Sequence, residues 1–319
     1  MRRVVLRGFD MSKLAFVFPG QGSQAVGMLA DIAAAWPVVR ETFAEASEAL
    51  GYDLWALTQD GPESELNQTE KTQPALLTAG VALWRAWQQQ GGKTPDFLAG
   101  HSLGEYTALV AADSLSLADG VRLVALRGQL MQQAVPAGEG AMAAILGLDD
   151  AAVQQACLEA STVGVVAAVN YNAPGQVVIA GSTAAVARAI EILKAAGAKR
   201  ALPLPVSVPS HCALMQPAAE KLREALAAVS FSAPVIPVVQ NVGARIEADT
   251  DAIRAALVRQ LYNPVLWVGS VEALAGLGVG RVLECGPGKV LCGLDKRIVK
   301  ELETASLENV ASFQAELAR

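Results

Sequence analysis

The clearest chemistry in the chain belongs to a serine flanked by two glycines, Gly100-His-Ser-Leu-Gly104. This G-x-S-x-G pattern puts a nucleophilic hydroxyl on a tight strand-to-helix turn, where both glycines remove Cβ atoms that would clash. Phe97-Leu-Ala99 before it reads as a short strand and Tyr106 to Ala112 after it as a helix, the context that the chemistry requires. The start of that helix offers backbone N–H groups, that of Leu103 first, to developing negative charge. A serine hydroxyl also needs a base, and the chain holds two histidines. His101 shares the turn with Ser102, so its side chain should diverge and it reads as structural. His211, on a loop far downstream, is the remaining base. No acid in 135–205 lies at an obvious strand end, so a dyad is expected, its imidazole held by a backbone carbonyl.

Gly20-Gln-Gly-Ser-Gln-Ala25 formally matches a dinucleotide-binding fingerprint. That reading requires a second strand after the helix, closing with an acid about 20 residues on, and Arg40 to Leu50 is helical in character instead. A wall of backbone N–H groups beside the nucleophile is the better use of Gly20-Gln21-Gly22. On the helix Leu117–Met131, ~100° per residue places Arg127 among Leu123, Val124, Leu130 and Met131, while Arg122 faces away. A guanidinium on an apolar arc needs an anionic partner. An internal Asp or Glu is the commoner one; a substrate carboxylate gripped by the planar fork is the sharper possibility.

Several elements must position these groups. Leu14 to Phe18 reads as a buried strand, and Thr72-Gln-Pro74 as the opening of a helix that stops at Gly91-Gly92. Strands alternating with helices predict a parallel sheet covered on both faces. Residues 135–205 change style. Gly140–Gly147 reads as a strand, Asp149–Glu159 as a helix, Val165–Asn170 as a strand, Tyr171–Gly175 as a turn and Gln176–Ala180 as a strand. Thr183–Ala196 then reads as a helix and Lys199–Pro205 as an extended piece. The order βαββαβ is ferredoxin-like, which predicts a small subdomain at 135–205 inserted into a large α/β domain formed by 12–134 and 206–319. The returning half carries a helix around Pro217–Val229, a strand Val235–Val239, a helix Asp251–Leu261 and a strand Arg281–Glu284.

Composition excludes several classes. The 319 residues are 52% hydrophobic and 18% charged, enough for one large core or two modest ones. A net charge of −6 and a pI near 5.1 give no global attraction for nucleic acid or an anionic membrane. Two histidines exclude a multi-histidine metal site, and no metal is expected. The four cysteines are scattered without a C-x-x-C pair, as in a reduced cytoplasmic protein. No apolar run is long enough for a signal segment or a membrane span, and residues 1–11 read as an N-terminal extension.

Phe18-Pro-Gly-Gln-Gly-Ser-Gln24, Thr72-Gln-Pro-Ala75, Gly100-His-Ser-Leu-Gly-Glu105, Arg127, Val208-Pro-Ser-His211, Gln260-Leu-Tyr-Asn-Pro264 and Glu284-Cys-Gly-Pro-Gly288 together resemble the malonyl-CoA:acyl carrier protein transacylases of bacterial fatty acid synthesis. The match runs in the family's order from Ser12 to about Arg297. The resemblance implies an α/β-hydrolase-like domain with a ferredoxin-like insertion. It implies that Ser102 is acylated, His211 is its base and the Gln260 main-chain carbonyl orients that base. Gln21 and Leu103 would supply oxyanion-hole amides, Arg127 would hold the malonyl carboxylate, and Gln73, Asn170, Asn172 and Gln176 would line the cleft. Leu103 after the serine resembles malonyl-selective members.

Malonyl-CoA and acyl carrier protein are then the partners. No cofactor is implied, because the CoA thioester is itself a substrate, and a monomer is expected. Arg188, Lys194, Lys199 and Arg200 stand against Glu191 as the only acid in 188–200. That segment would dock the acidic carrier, a plain solvated helix face being the alternative. With an ordinary histidine pKa of ~6.5, activity should fall in acid. A serine esterase or thioesterase, a polyketide-type acyltransferase and a non-catalytic carrier-binding subunit are the competing functions.

Overall fold

Apolar runs form strands in two separate sheets. The computed structural model describes residues 12–206 and 208–319, and the expected extension at 1–11 lies outside the described residues. The strands in chain order are β1 (Lys13–Phe18), β2 (Phe97–Gly100), β3 (Gly140–Leu146), β4 (Val166–Ala173), β5 (Gln176–Ser182), β6 (Arg200–Pro203), β7 (Val238–Gln240), β8 (Arg245–Ile246), β9 (Val279–Glu284) and β10 (Glu303–Ser306). The larger sheet has the order β10-β9-β1-β2-β7-β8, parallel except for the β7–β8 pair.

β1 is buried from its second residue to its last, as a strand covered on both faces must be. Phe16 and Phe18 face one core, Ala15 and Val17 the other. Each fully buried phenylalanine contributes about 1.5–3 kcal/mol. The register pairs Phe18 with Gly100, so the loops after β1 and β2 emerge side by side. Site residues of an open parallel sheet collect at such carboxyl ends.

The second sheet, β4-β5-β3-β6, is antiparallel and carries the helices Asp150–Ala160 and Thr183–Ala195. Ala143, Ile145, Val153, Val177, Ile179 and Leu193 form a core drawn only from this segment. The expected βαββαβ order is thereby present. Backbone bonds tie the sheet's β4 edge to the larger sheet's loops: Tyr171 N–H donates to the Val265 carbonyl at 3.0 Å, and Val265 N–H to the Val169 carbonyl at 2.8 Å.

Three elements differ from the sequence expectation. The helix expected to open at Thr72 spans Thr69–Gln89. Thr72 Oγ1 donates back to the Leu66 carbonyl at 2.5 Å, so Thr72 lies inside the helix and Pro74 in its second turn. Tyr171 and Asn172 are not in a turn. β4 continues to Ala173, which pairs with Gln176, leaving only Pro174 and Gly175 (φ +72°) to reverse the chain. The strand expected at Val235–Val239 is Val238–Gln240: Val235 is 68% exposed, and Pro237, lacking an N–H, can offer only its carbonyl, which accepts from Leu98 at 2.9 Å. Trp267–Gly276, Val290–Ile298, β8, β10 and Val310–Leu317 were not foreseen.

Candidate active site

β2 ends at Gly100 and the helix Gly104–Ala111 begins four residues later, so Ser102 occupies the apex of the turn with φ +52°. A Cβ on Gly104 would be driven into the Phe18 carbonyl, and one on Gly100 into the Gly104 backbone. The close approach of β1 and the turn therefore demands both glycines. A positive φ on a serine costs on the order of 1–3 kcal/mol and persists where the surroundings over-determine it.

His211 also has a positive φ, +66°. Its loop is anchored at the end of the helix Thr250–Gln260, whose last carbonyls have no partner within the helix. His211 N–H donates to the Leu261 carbonyl at 2.9 Å, and the ring Nδ1 lies 2.7 Å from the Gln260 carbonyl. A carbonyl only accepts, so Nδ1 carries the hydrogen and Nε2 keeps its lone pair. Ser102 Oγ sits 2.8 Å from that Nε2, the geometry of a hydroxyl donating to its base. His211 is 4% exposed, and burial first, then the Arg127 charge, push its pKa down to about 3. The expectation of an ordinary histidine titration is corrected accordingly: burial was not visible in the spacing of residues.

Arg127 is 1% exposed on the helix Leu117–Ala134. It donates through Nη1 to Gln73 Oε1 at 2.8 Å and through Nη2 to Gln260 Oε1 at 2.9 Å and Ser102 Oγ at 3.3 Å. Among the described residues no carboxylate pairs with it directly. Glu105 lies near enough to interact electrostatically, but burial pushes its own pKa up to about 7. The guanidinium is thus a buried cation whose hydrogen-bond partners are neutral, beside the nucleophile.

A cavity of about 130 Å³ opens over these groups. Ser102, His211, Arg127, Gln21, Leu103 and Asn170 line it, with Met131, Met142, Leu204, Val206 and Val208 as its apolar wall. This volume is far below the ~300–1,000 Å³ of sites for drug-sized ligands and suits a short acyl group. Among the described residues, neither the Gln21 nor the Leu103 backbone N–H has a hydrogen-bond acceptor, so both remain available to an anion.

The other expected site residues divide. Gln73 stands behind Arg127 and bonds it. Asn170 reaches the cavity, where its Oδ1 is buried with no hydrogen-bond partner among the described residues. Asn172 Oδ1 lies 2.8 Å from His101 Nε2, so the second histidine braces the turn against β4, as a structural residue would. Gln176 is away from the cavity: it opens β5 at the far end of the hairpin, where Arg297 donates to its Oε1 at 2.5 Å. Arg188, Lys194, Lys199 and Arg200 are exposed, and Arg188 pairs with Glu191 at 3.0 Å. Sequence reasoning gave no role to Glu105 and did not find Asn241. Both are fully buried beneath the turn. Among the described residues no cluster of His, Cys, Asp and Glu could hold a metal ion, and no helix is long and apolar enough to cross a membrane.

Residues 15–314 match the acyl transferase domain family. The chain is 64% identical over 309 residues to the malonyl CoA-acyl carrier protein transacylase of Salmonella typhimurium, covering 97% of this chain and 100% of that protein. Among solved structures, the acyl carrier protein S-malonyltransferase of Vibrio cholerae superposes with a TM-score of 0.94 at 62% identity, covering 95% and 99% of the two chains. A malonyl-transacylase in complex with the acyl-carrier protein of a type II PKS gives 0.95 at 60% identity, covering 96% and 99%. With the nucleophile turn, its base and a buried cation assembled on a fold shared over nearly the whole length, the chain belongs to the acyl transferase domain family.

Proposed function

We propose that this protein is a malonyl-CoA:acyl carrier protein transacylase of fatty acid synthesis, working through a malonyl ester on Ser102. One observation carries the reading: a fully buried arginine, with no carboxylate paired to it among the described residues, donates toward the nucleophile inside a small cavity. A hydrolase acting on neutral acyl groups has no use for that cation, whereas a malonyl group supplies the missing anion. The names of the near-full-length relatives point the same way.

The reaction follows from the geometry. The malonyl carboxylate docks on Arg127 and the thioester carbonyl faces the N–H groups of Gln21 and Leu103. Ser102 Oγ attacks the carbonyl carbon while its proton passes to His211 Nε2, and the negative oxygen rests on the two amides. One such donor is typically worth about 10²–10³ in rate. The intermediate collapses, the C–S bond breaks, and the CoA sulfur leaves with the proton from His211. In the second half, His211 takes the proton of the carrier's phosphopantetheine thiol, the sulfur attacks the ester, and Ser102 recovers its hydrogen. The Gln260 carbonyl at the helix end favours the imidazolium in both halves.

Gln73 and Gln260 hold the guanidinium in place, and Asn170 offers an acceptor to the incoming thioester arm. No cofactor takes part, and the reaction belongs in the cytoplasm. The division into 12–134 with 206–319 and 135–205 belongs to the same reading, supported by the separate core of the smaller sheet. Carrier docking is assigned to the exposed Lys194, Lys199 and Arg200 with a lesser share for Arg188, whose charge Glu191 already engages. Intact-mass measurement after mixing with malonyl-CoA tests the whole. A malonyl adduct that carrier protein discharges, and that Ser102→Ala abolishes, is the expected result; an unmodified wild-type protein would overturn the reading.

A further inference from the structure

Asn241 follows the last residue of β7, the strand beside β2, and is fully buried. Its side chain spans the nucleophile turn: Oδ1 accepts from Ser102 N–H at 2.7 Å and Nδ2 donates to the Gly100 carbonyl at 2.7 Å. A primary amide carries an acceptor and a donor on neighbouring atoms, and the two backbone partners fix which end is which. The turn's strained φ at Ser102 needs such restraint. Because the Ser102 N–H is occupied, the oxyanion must be met by Leu103 and Gln21.

Glu105, on the first turn of the helix that Ser102 introduces, continues the chain of contacts. Its Oε2 accepts from Asn241 N–H at 2.8 Å and from Gln260 Nε2 at 3.0 Å. Gln260 Nε2 also donates to the Ser102 carbonyl at 2.9 Å, while its Oε1 receives Arg127 and its main-chain carbonyl receives His211. Glu105 Oε1 is buried with no hydrogen-bond partner among the described residues. Both donors therefore converge on one oxygen, and a proton on the other would leave them undisturbed.

We propose that Asn241 and Glu105 are positioning residues of this site: Asn241 clamps the nucleophile turn, and Glu105 Oε2 locks Asn241 to Gln260 so that nucleophile, base and carboxylate clamp share one frame. The inference rests on acyl transfer at Ser102. Neither residue lines the cavity, so the frame should act on the rate of acylation more than on binding.

Quench-flow with intact-mass detection gives the rate of malonyl-Ser102 formation, and calorimetry on a Ser102→Ala background gives the Kd of malonyl-CoA. Asn241→Ala should slow acylation about 10²-fold, the scale of a misplaced reacting group, with Kd within about twofold, the range of an inert change. Asn241→Asp keeps size and the acceptor for Ser102 but loses the donor to Gly100, and should be slowed about tenfold. Glu105→Leu should be slow, and Glu105→Gln, which retains the accepting oxygen, should recover most of that loss. Acylation within about threefold of wild type in both Asn241 variants would overturn the proposal, as would a Kd that weakens in step with the rate. A Glu105→Gln protein as poor as Glu105→Leu would overturn the role given to Oε2, and this pair decides if the Asn241 variants do not fold. A wild-type protein that takes no malonyl group would instead sink the acyl-transfer reading itself.

Discussion

Replacing Arg127 with alanine should lower kcat/KM for malonyl transfer by about 10²–10⁴ while affecting acetyl transfer far less. Hydrogen bonds to charged groups are worth about 1.5–3 kcal/mol each, so a two-pronged grip on a carboxylate amounts to about 3–6 kcal/mol, and each 1.36 kcal/mol is tenfold. The guanidinium reaches the cavity already desolvated and held by Gln73 and Gln260, so little of this is lost to reorganisation on binding. Alanine also orphans the Gln73 and Gln260 side-chain oxygens, at about 1–3 kcal/mol each, while relieving the burial of an unpaired cation. Those costs damage both substrates alike. The assay is therefore the ratio of kcat/KM for malonyl-CoA to that for acetyl-CoA, with carrier protein as acceptor. A variant whose ratio stayed within about threefold of wild type would refute the carboxylate clamp, whatever happened to its absolute rate.

Because burial and Arg127 hold His211 down to about 3, kcat/KM should show no acid limb at the ordinary histidine value; a fall in activity centred near pH ~6.5 would contradict this. The same group contributes stability that is full above its unfolded value of 6.5 and is lost as pH falls toward about 3. Glu105 has the opposite sign. Its folded value of about 7 lies above the unfolded 4.5, so its contribution is present below pH 4.5 and lost as pH rises toward 7. Urea melts of wild type against Glu105→Gln should show the variant gaining relative stability across that window, and a flat difference would speak against it. Gly104→Ala should not yield active protein, since its Cβ meets the Phe18 carbonyl; normal activity with an unchanged melting temperature would refute the close packing. Reversing charge at Lys199 and Arg200 should weaken carrier affinity at low salt and spare acylation by malonyl-CoA; unchanged affinity would discard this docking edge.

What the sequence disclosed depended on rarity and on local patterning. With two imidazoles in the chain and one of them beside the nucleophile, His211 was found by elimination, and Arg127 by its place on an apolar helical arc. The G-x-S-x-G turn and the βαββαβ segment are local patterns. The role of the Gln260 carbonyl came from resemblance alone, because nothing in spacing shows which helix end lies under His211. The place of Gln176 in the cleft also came from resemblance alone; it directly follows the Pro174-Gly175 turn, where Arg297 holds its side chain away from the cavity lining. Asn241 escaped notice because only the pairing of β2 with β7 brings it to Ser102. Glu105 was hidden by a simpler explanation, since an acid in a first helical turn is favoured by the helix dipole alone.

The low proton affinity of His211 poses a question for a general base, which works best with a pKa near the working pH. Burial is the largest cause of its depression, and the charge of Arg127 is the next. In the proposed reaction a malonyl carboxylate neutralises that charge on arrival. The imidazole then becomes a stronger base when Ser102 needs to lose its proton, while in the empty site it stays neutral and weak. An acetyl group brings no such compensation. It would meet the depressed imidazole unchanged, so discrimination against it should fall on kcat as well as on KM. Removing the cation should relieve part of the depression too, so Arg127→Ala should narrow the gap in kcat between the two acyl groups as well as the gap in binding. A variant in which only KM for malonyl-CoA changed would mean that the guanidinium binds substrate without tuning the base.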